Sequence, residues 1–124
     1  MASSVIVAEL KKLECTDVPS LEAFRPEGDF GIYILAMVGP AGRPGEESFG
    51  FTLCTPIWFA ENMKDEFALG RHYLFVRKYD YTALEKFLRG YCQRCMGISW
   101  AEVAQKFAHL GYWEFENYTS SNPA

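Results

Sequence analysis

The residues whose chemistry could support catalysis or metal binding are four cysteines and two histidines: Cys15, Cys54, Cys92, Cys95, His72 and His109. Cys92 and Cys95 have the spacing found in redox and zinc motifs. A redox pair needs a helix N-terminus, where the thiolate pKa falls, but this pair lies late in a predicted helix, on its apolar side. A zinc site needs a second close pair of ligands, and the other candidates are scattered. The pattern favours core packing, with metal binding and redox chemistry as the alternatives.

The histidines and the glycine-rich stretch give no catalytic signature. No motif places a nucleophile or a second acid beside His72 or His109, and both are expected to be structural. The glycines between residues 39 and 45 lack the Lys-Ser or Lys-Thr that completes a phosphate-binding loop, so a hairpin loop is predicted. We therefore expect no catalytic residue, no metal and no cofactor.

The C-terminal aromatic stretch, residues 112–118, is more informative. In an extended chain Trp113 and Phe115 share one face, and the other face carries Tyr112, Glu114, Glu116 and Tyr118. No basic residue follows Lys106, so the carboxylates could pair with Lys or Arg of a partner. The alternative is an edge strand whose charges block unwanted pairing, and one strand can do both.

Apolar periodicity predicts the elements that must position these residues. Strands are expected at Val5–Leu13, Gly31–Val38, 48–53, Arg71–Tyr79 and 112–118. Helices are expected to begin at Thr55, Asp80 and Ser99, and the last two to end at Gly97 and Gly111. The apolar stripe of the helix after Asp80 is predicted to comprise Leu84, Phe87, Leu88, Tyr91, Cys92 and Cys95.

Early strands and late helices predict an α+β fold: a mostly antiparallel sheet of four to five strands, with two C-terminal helices packed on one face. A chain of 124 residues is expected to form one domain, residues 1–124.

The charge balance indicates which partners are favoured. Sixteen acids against twelve bases give a net charge of −4, which disfavours nucleic acid and favours a basic protein. The N-terminus does not have the pattern of a secretory signal, and no apolar run approaches the ~20 residues of a membrane span. Reduced cysteines in the cytoplasm are therefore expected.

Five segments together resemble the immunity protein 8 family of bacterial polymorphic-toxin systems. They are Ala8–Leu13, Phe51–Trp58, Phe75–Asp80, Ser99–Ala104 and Trp113–Tyr118. The resemblance implies a small α+β protein of the bacterial cytoplasm, encoded beside a toxin, that neutralises the toxin by direct binding.

The resulting hypothesis is a protein that binds a cognate toxin domain through Tyr112, Glu114, Glu116 and Tyr118, with Trp58 and Asp80 behind them. Neither nucleic acid nor a membrane is expected as a partner. The alternatives are a small hydrolytic or metal-dependent enzyme using the histidines and cysteines, and a generic adaptor that binds a peptide along a sheet edge.

Overall fold

The computed structural model describes residues 5–115, which form one curled sheet and three helices. In chain order the elements are β1 (Ile6–Glu14), β2 (Gly31–Pro40), β3 (Glu47–Cys54), α1 (Pro56–Glu61), β4 (Tyr73–Phe75), α2 (Tyr81–Gln93), β5 (Met96–Gly97), α3 (Trp100–Phe107) and β6 (Tyr112–Trp113). The strand order is β4-β3-β2-β1-β5, and β6 also pairs with β3. Only the β3–β4 pair is parallel within this sheet. The predicted α+β class with a mostly antiparallel sheet is confirmed.

The three long strands, β1 to β3, form an antiparallel meander on which the short strands pair and the helices pack. Ile34 lies opposite Phe51, and Ala36 opposite Phe49, so the apolar side chains of β2 and β3 share one face. The loop between them turns at Gly42 and Gly45, whose φ angles of 76° and 102° favour glycine. The prediction of a hairpin at this loop is confirmed.

The hydrophobic core lies between this face of the sheet and helices α2 and α3. Its strand members include Ala8, Leu10, Ile32, Ile34, Ala36, Val38, Phe49, Phe51 and Leu53, and its helix members include Leu84, Leu88, Cys92, Cys95, Val103, Ala104 and Phe107. Phe87 was wrongly assigned to the buried stripe: its ring is nearly half exposed. It lies at the flank of the stripe, near the short strand β4, where little sheet remains to cover it.

All three predicted helix starts are confirmed. Thr55 Oγ1 accepts from Trp58 N at 3.4 Å, and Asp80 Oδ1 accepts from Ala83 N at 3.1 Å. Ser99 Oγ accepts from Glu102 N at 3.2 Å. Each cap satisfies a backbone N–H that the helix itself leaves without a partner.

The predicted helix ends were wrong. Helix α2 ends at Gln93, and Gly97 lies in β5, paired with Ile6 of β1. Gly111 does not adopt the left-handed conformation, since the positive-φ glycines within residues 5–115 are Gly42 and Gly45. A Cβ at Gly111 would lie 3.2 Å from the carbonyl carbon of Phe49, so close packing against β3 explains the glycine.

Two predicted strands are shorter than expected. The strand predicted at Arg71–Tyr79 is limited to β4 (Tyr73–Phe75), and its late start follows from His72, which adopts a positive φ of 65° immediately before it. The strand predicted at 112–118 contributes only β6 within the described residues, and residues 114–115 form a turn. No helix within residues 5–115 is long and apolar enough to cross a membrane.

Candidate functional site

The cysteines are placed for packing. Cys54, Cys92 and Cys95 are buried, and all four cysteines are free thiols. Burial raises the pKa of Cys92 to about 12 and also raises the pKa values of Cys54 and Cys95, which keeps these thiols protonated near neutral pH. Core packing of Cys92 and Cys95 is confirmed. In the part of the chain that the structure describes, no three His, Cys, Asp or Glu side chains are grouped to hold a metal ion.

His72 connects three parts of the fold. Its Nε2 lies 2.9 Å from the carbonyl oxygen of Ala108 and donates to it, and its ring contacts Tyr112 edge-on at 5.9 Å between centroids. Its own carbonyl accepts from Thr52 N at 3.0 Å. His72 therefore joins β3, the end of α3 and the ring of Tyr112, which is the structural role predicted for it.

The face of the sheet opposite α2 and α3 is rich in exposed aromatic rings. Side chains of paired residues point to the same face, so Tyr33, which lies opposite Thr52, shares this face with Tyr73, also paired with Thr52. Tyr112 lies opposite Gly50 and points the same way. We call the group formed by Tyr33, Phe59, Tyr73, Phe75 and Tyr112 the aromatic face.

Three rings of the aromatic face hold one another in place. Phe59 of α1 contacts Tyr73 and Phe75 edge-on, at 4.9 and 5.3 Å between centroids. Tyr73 and Phe75 lie nearly parallel, 6.3 Å apart. The exposed fractions of Tyr33, Phe75 and Tyr112 are 47, 44 and 42%. Half-exposed rings with fixed orientations can be buried by a partner at a small cost in conformational entropy.

Two glycines make room for this arrangement. A Cβ at Gly50 would overlap the hydroxyl oxygen of Tyr33, so the absent side chain allows the ring of Tyr33 to lie across β3. A Cβ at Gly31 would overlap the indole of Trp58, which rests on the start of β2. Trp58 is half-buried and holds α1 against the sheet. Trp58 therefore packs next to the aromatic face and helps to position the helix that carries Phe59.

Glu114 closes the free edge of β3. Its backbone N donates to Ser48 O at 3.2 Å, and its carboxylate accepts from Ser48 N at 2.5 Å. The side chain thus takes the place of a strand carbonyl at the point where β6 ends. This is the edge-protecting role weighed for the acidic stretch. The side chain remains exposed, so contact with a partner is compatible with it.

The predicted site residues do not all lie together. Tyr112 and Glu114 lie together beside β3, and Trp58 packs at the start of β2. Asp80 lies apart from them: it caps α2 and lines a groove of about 890 Å³ that also includes Asp29 and Thr55 but neither Tyr112 nor Glu114. Glu116 and Tyr118 lie outside the described residues.

Glu47, which sequence reasoning missed, connects the last part of the chain to β3. Its Oε1 accepts from the indole Nε1 of Trp100 at 2.7 Å and from that of Trp113 at 2.8 Å. One carboxylate oxygen therefore joins β3, α3 and β6. Because β6 carries Tyr112 next to Trp113, this contact also fixes one side of the aromatic face.

Phe67 and Leu69 were also missed. They lie in the connection between α1 and β4 and are 91 and 89% exposed. The available signal was a pair of large apolar residues between the acids at 65–66 and Gly70, in a stretch with no helix or strand periodicity.

These features define a small α+β protein with half-exposed aromatic rings on the face of the sheet opposite its core. The chain belongs to the immunity protein 8 family: the family model described as Immunity protein 8 matches residues 8–118. Membership makes it an immunity protein, whose counterpart is a toxin. No match was found to a curated protein or to a solved structure.

Proposed function

We propose that the protein binds its cognate toxin domain in the cytoplasm and neutralises it by direct contact, without catalysing a reaction. The aromatic face is the observation that carries this proposal. It presents three half-exposed rings from three strands on one side of the sheet, opposite the helices that cover the core.

The composition of this face suits a protein interface. Tyrosines are enriched among the residues that dominate binding energy, because a ring supplies apolar area and its hydroxyl can form a hydrogen bond. A stable complex of ordinary size buries roughly 800 Å² on each partner, which is more than these rings alone can supply. We therefore propose that Glu114, Glu116 and Tyr118 extend the surface at one edge, with Trp58 and Asp80 as outlying contacts.

The charge of the chain supports a basic partner. The net charge of −4 would steer a basic toxin domain toward the protein and accelerate association at low salt. The exposed carboxylate of Glu114, at the edge of the sheet beside Tyr112, is placed to pair with Lys or Arg at the rim of the interface.

The test uses as the toxin the C-terminal domain of a large secreted protein encoded next to this one, which the family leads us to expect. We expect the wild-type protein to bind it in a defined stoichiometry and to restore growth of cells that express it. The double variant Tyr33→Ala, Tyr112→Ala should bind about 100-fold more weakly by titration calorimetry, because truncating interface tyrosines removes hot-spot contacts. Met96→Ala, of similar exposure at the opposite edge of the sheet, is the control and should bind normally.

Two results would contradict the proposal. One is full affinity in the double variant. The other is protection without binding, accompanied by chemical modification or cleavage of the toxin, which would favour the enzymatic alternative.

A glycine variant tests the orientation of the rings separately from their chemistry. Gly50→Ala should displace the Tyr33 ring, since the new Cβ would occupy the position of its hydroxyl oxygen. We expect about 10-fold weaker toxin binding, with a small change in unfolding free energy because the displaced group is the end of a side chain. Gly28→Ala, whose Cβ would meet no atom within 4 Å, should leave binding unchanged. Wild-type affinity in Gly50→Ala would show that the position of Tyr33 is irrelevant.

A further inference from the structure

We propose that residues 62–71, which we call the apolar loop, form a second element that contacts the toxin domain. In this proposal Phe67 and Leu69 insert into an apolar cleft of the toxin domain, and the rim of that cleft is basic. This inference rests on the proposed function and adds to it the element that enters the toxin and the chemistry of the cleft.

The exposure of these two side chains is the first argument. Phe67 and Leu69 are the two most exposed large hydrophobic side chains within residues 5–115. Scattered, partly exposed apolar residues are common on protein surfaces, but two large ones almost completely in water, two positions apart, are characteristic of a contact site. The residues that dominate a protein interface lie in well-packed pockets from which water is excluded, and side chains inserted into an apolar cleft would occupy such pockets.

The ends of the apolar loop are held firmly. Asn62 donates to the carbonyl oxygen of Trp58 through both its backbone N, at 3.0 Å, and its Nδ2, at 2.8 Å. Immediately after the loop, His72 donates to Ala108 O and accepts from Thr52 N. A loop fixed at both ends presents its tip with a smaller loss of entropy on binding than a free segment would.

The position of the loop joins it to the aromatic face. It leaves from α1, whose Phe59 packs on Tyr73 and Phe75, and it returns through His72 to β4, which carries those two rings. Both ends of the loop therefore lie next to elements of the aromatic face. We expect a partner seated on that face to reach Phe67 and Leu69 as well.

Charge identifies the chemistry of the partner. Asp65 and Glu66 immediately precede Phe67 and Glu61 ends α1, so three acids stand against two bases, Lys64 and Arg71, over residues 61–71, and the carboxylates are the charges next to Phe67. An apolar tip preceded by carboxylates matches an apolar cleft whose rim carries Lys or Arg. A second copy of this chain would bring like charges together, and an anionic membrane would repel the same carboxylates.

The experiment compares Phe67→Ala, Leu69→Ala with the wild-type protein, using the same toxin domain as above. The double variant should bind at least 100-fold more weakly, mainly through faster dissociation, and should lose protection of growing cells. Its urea unfolding midpoint should remain unchanged, because both side chains are already in water. Ile98→Ala, which removes an exposed apolar side chain near the opposite edge of the sheet, is the matched control and should bind normally.

A charge variant tests the basic rim. Asp65→Lys, Glu66→Lys should slow association about 10-fold at low salt, and the difference should shrink as salt is raised. An association rate equal to that of the wild type at low salt would overturn the assignment of a basic rim.

The outcomes separate this inference from the proposed function. If the wild-type protein binds the toxin and the Phe67, Leu69 variant binds equally well, the apolar loop is not a contact element, and the proposed function stands. If the wild-type protein does not bind, the proposed function fails and the inference fails with it. Self-association of the wild-type protein that disappears in the variant would assign the loop to a homodimer and overturn the inference.

Discussion

Glu47→Ala should lower the free energy of unfolding by about 3 kcal/mol. The substitution removes the acceptor shared by the indole N–H groups of Trp100 and Trp113, which lie 2.7 and 2.8 Å from Oε1. A hydrogen bond to a charged group contributes about 1.5–3 kcal/mol, and a buried donor left unpaired adds a desolvation cost. Urea unfolding followed by circular dichroism measures the difference.

Two variants isolate the cause. Glu46→Ala alters the neighbouring carboxylate, which is exposed and lies 3.9 Å from Lys12 Nζ, and it should change stability by less than about 0.5 kcal/mol. Glu47→Gln keeps an acceptor oxygen for the indoles and should recover part of the loss. Equal stability of Glu47→Ala and Glu46→Ala would show that the shared hydrogen bonds contribute nothing.

Phe49→Ala should cost about 4 kcal/mol, the largest effect that we expect from a single substitution. The ring is fully buried, contacts Phe107 edge-on at 4.9 Å and stacks on Trp113 at 6.3 Å. Removing it deletes these contacts and leaves a cavity between β3 and α3, which typically costs 3–5 kcal/mol for Phe→Ala in a core. The measurement is again denaturant unfolding, with the slope m checked for two-state behaviour.

Phe67→Ala is the matched comparison, since it makes the same chemical change at an exposed position in the apolar loop. It should alter the free energy of unfolding by no more than about 0.5 kcal/mol. Together the two variants should show opposite profiles, with Phe49 needed for stability and Phe67 for toxin binding. A large loss of stability in Phe67→Ala would contradict the exposed position of its ring.

The parts of the fold that depend on neighbouring residues were predictable from the sequence. Thr55, Asp80 and Ser99 cap helices because each side chain reaches a backbone N–H three residues further on, a relation contained in the local sequence. The strand predicted at 48–53 likewise depends on local alternation, and Phe49 and Phe51 share its buried face.

The parts that depend on distant residues were not predictable. Gly111 follows a helix and matches a left-handed cap, but its conformation is determined by the backbone of Phe49, 62 positions earlier. The parallel pairing of β4 with β3 and the pairing of β5 with β1 likewise join segments whose own sequences do not specify a partner. Pattern within one segment carries no information about such contacts.

The candidate site was partly predictable. Tyr112 and Glu114 could be identified because rings alternating with acids are unusual, and the structure places both beside β3. The family resemblance, confirmed by the match over residues 8–118, indicated the class of function. Tyr33 joins the site only through its ring lying over Gly50, which depends on the register between β2 and β3. The sequence did not show that Asp80 lies apart from Tyr112 and Glu114. That separation depends on the strand order, which the sequence does not specify.

The order of the elements along the chain has a consequence for synthesis on the ribosome. The three long strands are complete at Cys54, but the helix that carries Phe107 ends about fifty residues later. At ~5–20 residues per second, the apolar side of the nascent meander waits on the order of 3–10 s for its covering layer. Chains released before α3 would leave exposed the part of that side that α3 covers, even where α2 is complete. Premature termination should therefore yield a fragment that aggregates and binds chaperones. In the finished polypeptide, α3 and Trp113 cover the apolar side.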